Sequence, residues 1–319
     1  MTSPVGVVVM AYGSPASPEA IEEYYTHVRR GRAPTPELLG DLTARYAAIG
    51  GVSPLAERTA RQVAAIRGAL DRAMPGAFVV AAGFKHASPF IEDAVDELAT
   101  AGAGPLVALV LAPHYSAMSV GEYVGRARGR AAEHGLAVHS VESWHAEPAY
   151  LDFLVRAVDD ARGALPRDTK VLFTAHSLPA RILDAGDPYP NELRRTAALV
   201  AERAGLAPWA GWAVCWQSAG RTPEPWLGPD VLEVLTDLAG HYRAAGWDGT
   251  PRTRGVLVCP CGFVSEHLEV LYDLDIEARR VATDLGLAFA RTAVPDDDPA
   301  VMAALAGRVI ETAGVATGA

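Results

Sequence analysis

The chain has 319 residues, a formal net charge of −10, 50% hydrophobic residues and a mean hydropathy of +0.12. That composition excludes a disordered chain, and its length favours two domains over one ever-growing core. The acidic surplus argues against a nucleic-acid partner, and three cysteines (Cys215, Cys259 and Cys261) are too few for a disulfide framework.

The N-terminal "MTSPVGVVVMAYG" carries no basic leader and runs directly into an apolar strand. No apolar stretch is long enough to cross a bilayer, the longest lying around "PLVALVLAP". The expectation is a cytoplasmic protein with no signal peptide and no transmembrane segment.

Apolar runs bounded by breakers predict strands over 5–10, 78–83, 106–112, 138–141, 171–174, 212–215 and 255–259. Amphipathic periodicity predicts helices over 18–30, 36–49, 56–73, 89–101, 120–134, 148–164, 190–204, 230–245, 265–285 and 298–313. Such alternation means βαβ units, a mostly parallel sheet and helices on both faces. The order also repeats. "VVVMAYGSP" (7–15) parallels "VLFTAHSLP" (171–179), and "PFIEDAVDELATAGAGPLVALVLAPHYS" parallels "PDVLEVLTDLAGHY…RGVLVCPCGFVS" with a longer Gly/Pro-containing loop over 243–253. A spacing near half the chain predicts two similar α/β domains, over 1–145 and 146–295. Residues 296–319 form a C-terminal helix expected to pack back across them. In this alignment Tyr12 and His176 take equivalent places at strand ends, expected to face each other across an interdomain cleft.

Four features could carry chemistry. His176 ends an apolar strand where open α/β sheets bind ligands; as a lone histidine it reads equally as a polar strand cap. His27, His86, His114 and His267 read as hydrogen-bonded scaffolding. In "GFVSEHLEVLYDLDIEARR", Glu269, Asp273 and Glu277 recur every four residues, so a regular helix would align three like charges on one face. They form either a solvated acidic face or a ladder of oxygen ligands and proton acceptors. Basic residues concentrate in "YYTHVRRGR" and at Arg45, either as a solvated face or as a site for an anionic small molecule. No GxGxxG, Walker A lysine or GxSxG is present, which disfavours nucleotide and acyl-transfer chemistry. Cys259-x-Cys261 reads as buried thiols on core strands.

Taken together, "MAYGSP", "YYTHVRRG", "RYAAIGGVSPL", "GFKHASPFIEDAV", "LAPHYS", "AHSLP", "GDPYP", "WQSAGRTPEPWLGPD" and "GFVSEHLEVLYDLD" resemble the ferrochelatases, over residues from about 5 to 295. They look closest to the soluble bacterial type that inserts Fe2+ into coproporphyrin III. The resemblance implies an α/β chelatase fold: two Rossmann-like domains with parallel four-stranded sheets flanked by helices, and a porphyrin cleft between them. By motif it assigns His176 and Glu269 as the metal-binding and proton-accepting pair, and Asp273 and Glu277 as an acidic path for metal. Tyr12 would approach the iron of the product, while Arg29, Arg45, Tyr46, Ser53 and Tyr123 match the propionate-side contacts. Guanidinium groups pair bidentately with carboxylates, so coproporphyrin, with four carboxylates against two in protoporphyrin, suits the basic cluster.

Coproporphyrin III and ferrous iron are then substrates, no tightly bound cofactor is implied, and the chain is expected to be a monomer. A [2Fe–2S] cluster, which some relatives hold on four cysteines, is not expected with only three. The competing functions are a chelatase for another metal or tetrapyrrole, such as cobalt or protoporphyrin IX, and a non-catalytic tetrapyrrole carrier. A carrier would need the basic cluster but not His176 with Glu269.

Overall fold

The computed structural model describes residues 3–208, 210–240 and 253–314. The chain divides into two compact units, one drawn from the described residues of Met1–Trp144, Ser265–His267 and Asp296–Ala319, the other from His145–Val264 and Leu268–Pro295. Cutting the chain into consecutive pieces does not anticipate the three-residue insertion Ser265–His267 in the first unit.

The first unit holds strands β1 (Val5–Ala11), β2 (Phe78–Phe84), β3 (Leu106–Val110) and β4 (Val138–Val141), in the order β2-β1-β3-β4 and all parallel. The second repeats it with β5 (Lys170–His176), β6 (Trp212–Gln217), β7 (Gly255–Cys259) and β8 (Ala288–Arg291), in the order β6-β5-β7-β8. Every residue of β1, β3 and β7 is buried, as expected for parallel strands covered on both faces. In each sheet the chain leaves the first strand to one side and then crosses back to the other. The ends of β1 and β3, and of β5 and β7, are therefore topological switch points, where α/β sheets open a crevice.

Helices begin where the sequence supplies starts. Thr35 accepts a hydrogen bond from the Leu38 amide ahead of helix Pro36–Ala48, and Asp298 accepts from the Ala300 and Val301 amides ahead of Pro299–Ala313. Helix Pro299–Ala313 packs on helix Leu55–Ala73 and on β3 and β4, so the C-terminal segment belongs to the core of the first unit.

Two expectations need correcting. Strand β8 was not among the predicted strands: "AFAR" is a short edge strand, half-buried throughout and without apolar alternation. The predicted helix over 265–285 is instead a short helix, Leu268–Leu271, a π-helical segment, Asp273–Ala278, and a helix, Arg279–Asp284. The last residues of the helix predicted over 230–245, and all but the end of the loop predicted over 243–253, lie outside the described residues.

One close approach fixes the switch point of the second sheet. The Gly262 amide donates to the Thr174 carbonyl at 2.9 Å, and a Cβ on Gly262 would sit 2.6 Å from the Ala175 Cα, which is backbone and cannot swing away. Gly262→Ala should therefore force the turn after β7 off β5 and lower stability by about 1–3 kcal/mol, the usual cost of overpacking. Gly40→Ala, in a helix with nothing within 4 Å, should be neutral or slightly stabilising. Denaturant midpoints of the two variants check this; equal midpoints would refute the close-approach argument.

Candidate active site

His176 is the last residue of β5, and Glu269 sits in the helical turn that follows β7, so the two flank the switch point. The His176 Nδ1 and a Glu269 carboxylate oxygen are 3.1 Å apart, and each side chain is about a third exposed, at 35% and 33%. The contact joins residues 93 positions apart in the chain.

Buried polar groups hold both partners. The Tyr189 hydroxyl donates to the His176 carbonyl at 3.0 Å, and its ring lies tilted against Trp216 with centroids 5.6 Å apart. Thr174 donates to the side-chain oxygen of Gln217 at 2.7 Å, and the Gln217 amide nitrogen donates to the Glu269 carbonyl at 3.0 Å. Gln217 is wholly buried, so both ends of its amide must find partners, and these two bonds orient it in one way only. Ser218 follows with φ of +61°, strained for a residue with a Cβ, and its hydroxyl donates to the buried carboxylate of Asp273.

Desolvation of the His176 ring lowers its pKa, but the charge and hydrogen bond of Glu269, with Asp273 behind them, outweigh it and set the net shift upward. The ion pair's contribution to stability is therefore complete below about pH 6.5 and disappears as pH rises through the elevated value.

The acidic residues do not form the regular ladder that an α-helix would give. The Glu277 amide reaches back to the Tyr272 carbonyl at 2.9 Å, a five-residue step that widens the turn. This segment buries Asp273 and leaves Ile276 37% exposed, the reverse of their hydropathies. Asp275 anchors it through a two-pronged ion pair with Arg291 of β8, at 2.9 and 2.8 Å. Glu269 and Asp273 both act on His176, whereas the charge of Glu277 is felt at partly buried Asp230. Burial raises the Asp230 pKa first, and Glu233 and then Glu277 add to it. Among the described residues, no group of three His, Cys, Asp or Glu side chains is arranged to hold a metal ion. The three cysteines are buried free thiols, and burial pushes Cys215 and Cys261 above the ordinary thiol range.

The first unit carries the other six predicted residues. Tyr12 follows β1, is 42% exposed and lies 4.6 Å from the His86 ring, centroid to centroid. His86 in turn meets His27 through their Nδ1 atoms at 3.0 Å, and His27 stacks on Phe90. Burial first, then Lys85, the neighbouring His27, Arg126 and Arg30, drive the His86 pKa down to about 3, which keeps this imidazole neutral. Arg29 lies over the Tyr25 ring at 5.6 Å, and Arg45 lies partly buried in the last turn of the helix Pro36–Ala48. Tyr46, Ser53 and Tyr123 are buried; the Ser53 hydroxyl accepts from the Leu55 amide, and Lys85 caps the Tyr123 ring at 5.2 Å.

Sequence reasoning missed Thr174, Tyr189, Gln217 and Ser218. The repeat offered one signal, since "WQS" leaves β6 as "AHS" leaves β5. His27 and His86 read as scaffolding and do hydrogen-bond to each other, but the pair sits beside Tyr12.

Following the His176 ring by NMR across pH tests the electrostatics directly. In Glu269→Gln the pKa should fall, because desolvation remains while the first upward contribution is lost, and Asp273→Asn should lower it less. An unchanged value in Glu269→Gln would mean that the carboxylate does not control the imidazole.

Residues 4–313 match the family model described as Ferrochelatase. The chain is 45% identical over 306 residues to the coproporphyrin III ferrochelatase of Halalkalibacterium halodurans, covering 95% of each protein. It is 43% identical over 316 residues to the protein of the same name from Bacillus subtilis, covering 97% of this chain and 98% of that one. Among solved structures, SirB from Bacillus subtilis with Fe3+ superposes with a TM-score of 0.57 at 14% identity, over 97% of this chain and 96% of the other. That likeness speaks for the fold alone. With these matches in sequence over nearly its whole length, the chain belongs to the ferrochelatase family.

Proposed function

We propose that this protein inserts Fe2+ into coproporphyrin III, releasing two protons and giving the iron porphyrin of heme biosynthesis. The observation that carries the reading is the His176–Glu269 contact at a sheet switch point. Its context is a chain 43–45% identical, over nearly its whole length, to proteins named coproporphyrin III ferrochelatase.

Metalation has to remove two pyrrole protons and strip water from the ion. An imidazole titrating near working pH can do either, accepting a proton or offering a nitrogen to iron. His176 is the acceptor in this reading, and Glu269, hydrogen-bonded to its Nδ1, stabilises the imidazolium that forms and passes the proton on. Because the net effect of the surrounding carboxylates is to raise the His176 pKa, the active form of the free enzyme is the one that has already lost this proton. Gln217 and Tyr189 are positioning residues that fix the backbone on either side of the pair. Asp273 and Glu277 provide further hard oxygen donors along the same segment, suited to guiding a hydrated divalent cation.

Tyr12, open to solvent beside a neutral His86, is assigned to the metal-facing side of the macrocycle. Arg29 and Arg45 are assigned to propionates, with Tyr46, Ser53 and Tyr123 supporting them. Iron is substrate here, not a resident cofactor. Three cysteines leave a [2Fe–2S] cluster one protein ligand short. No helix among the described residues is long and apolar enough to cross a membrane, which is compatible with a cytoplasmic site of action on a water-soluble tetracarboxylate.

Anaerobic incubation with Fe2+ and each porphyrin, followed by absorbance, tests the reading. Coproporphyrin III should be metalated with a higher kcat/KM than protoporphyrin IX. His176→Ala should make no product while binding coproporphyrin III within several-fold of the parent. Near-normal turnover by His176→Ala would remove it from the mechanism, and a preference for protoporphyrin would overturn the substrate assignment.

A further inference from the structure

The basic patch of the first unit contains a carboxylate that the proposed function does not use. Glu122 lies in the first turn of the helix Val120–Glu133, immediately before Tyr123. One of its oxygens is 2.5 Å from the Lys85 ammonium and the other is 3.5 Å from the Arg30 guanidinium. Lys85 is only 14% exposed, and its ammonium rests over the Tyr123 ring at 5.2 Å, so it has given up most of its water. Arg30 is 81% exposed and reaches in from the tight turn after helix Ile21–Val28, where it adopts φ of +57°. Glu122 itself is 37% exposed, so the carboxylate that neutralises these two cations can be reached from solvent.

Neighbouring cations have their own acids. Arg126 is held two-pronged by Glu92 and also donates to the Lys85 carbonyl, and Arg130 is held by Asp96. Glu92 and Asp96 belong to helix Ile91–Thr100 and brace it against the helix Val120–Glu133. Glu122 braces no helix. Its two partners are a buried-stem lysine on an aromatic face and a solvent-exposed arginine, which is the donor set that an incoming carboxylate needs. The local potential supports this: His86, next to Lys85, is held neutral in part by Lys85, Arg126 and Arg30.

We infer that Glu122 is an internal stand-in for a substrate carboxylate, occupying Lys85 and Arg30 in the free protein and giving them up when a propionate arrives. Two carboxylates cannot share this pair of cations without repulsion. Binding is therefore an exchange, and Glu122 sets how much affinity each further propionate adds. It is a specificity-determining residue, and it weakens binding. The inference rests on the proposed function, in that the exchanging ligand is taken to be a porphyrin propionate.

Glu122→Gln keeps the size of the side chain and removes its charge. Fluorescence quenching should show coproporphyrin III binding to E122Q about 2- to 5-fold tighter than to the parent, the scale of one partly exposed charge interaction. Protoporphyrin IX, with two carboxylates fewer, should gain less. In a K85M background the same substitution should gain less, because only Arg30 is then left to release, and both gains should shrink as ionic strength rises. Circular dichroism of E122Q establishes that it is folded; should it not be, Glu122→Asp, whose shorter arm loosens the Lys85 contact, should give a smaller gain of the same sign. Equal or weaker coproporphyrin binding by the folded variant, in a preparation whose parent still binds and metalates coproporphyrin, would overturn this role for Glu122 alone. A parent that binds no coproporphyrin would overturn the proposed function and this inference with it.

Discussion

The second unit is organised around one contact, the hydrogen bond between a histidine at the end of β5 and a glutamate just beyond β7. Neither residue is rigid by itself, and both are partly exposed, so the distance of 3.1 Å depends on how the two loops are held. The strand order β6-β5-β7-β8 puts β5 and β7 side by side and sends their continuing chains to opposite sides. Gly262 lets the turn after β7 lie directly on Ala175, one residue before the histidine. Gln217, buried at the end of β6, ties the Glu269 backbone to Thr174 of β5. Three neighbouring strands thus fix two side chains, and removing any one hydrogen bond leaves a buried polar group unmatched, at a cost of about 1–3 kcal/mol.

Electrostatics then divides the chain's candidate residues into two kinds. Around His176 the near charges are carboxylates, and they raise the affinity of the imidazole for a proton or a cation. Around His86 burial, and after it the charges of Lys85, Arg126 and Arg30, suppress protonation. The same side chain is therefore a basic, cation-seeking group in one unit and a neutral one in the other. A reaction that exchanges protons for a divalent metal on a carboxylate-bearing macrocycle needs both environments, which an overall charge of −10 does not reveal.

Much of the fold was legible because β1, β3, β5 and β7 are nearly continuous apolar runs, and burial on both faces of a parallel sheet leaves that mark. The repeat made the doubled architecture visible too, but β8 was missed, because "AFAR" carries no strand signal of its own. The break at Asp273 was not legible. Helical periodicity over 265–285 is regular enough to hide a widened turn whose stability comes from outside the segment, from Arg291 on Asp275 and Ser218 on Asp273. His176 could be placed from its strand, whereas its partner came from the family resemblance and not from periodicity. The pairing with Glu269 spans 93 residues and is a property of strand order, and Gln217, which holds it, looks like any polar residue after a strand. In the first unit, Tyr46, Ser53 and Tyr123 emerge as buried side chains with structural contacts, a burden that no motif announces.

If the His176–Glu269 pair takes up the pyrrole proton, the free enzyme must first be without the proton that the surrounding carboxylates stabilise on His176. The most direct measurement is the pH dependence of kcat/KM for anaerobic Fe2+ insertion into coproporphyrin III. It should rise with pH through a single ionisation whose pKa lies above the ordinary histidine value of about 6.5, matching the value read from the His176 ring by NMR. A rising limb well below that value, or a profile flat across it, would contradict the assignment of His176 as the proton acceptor.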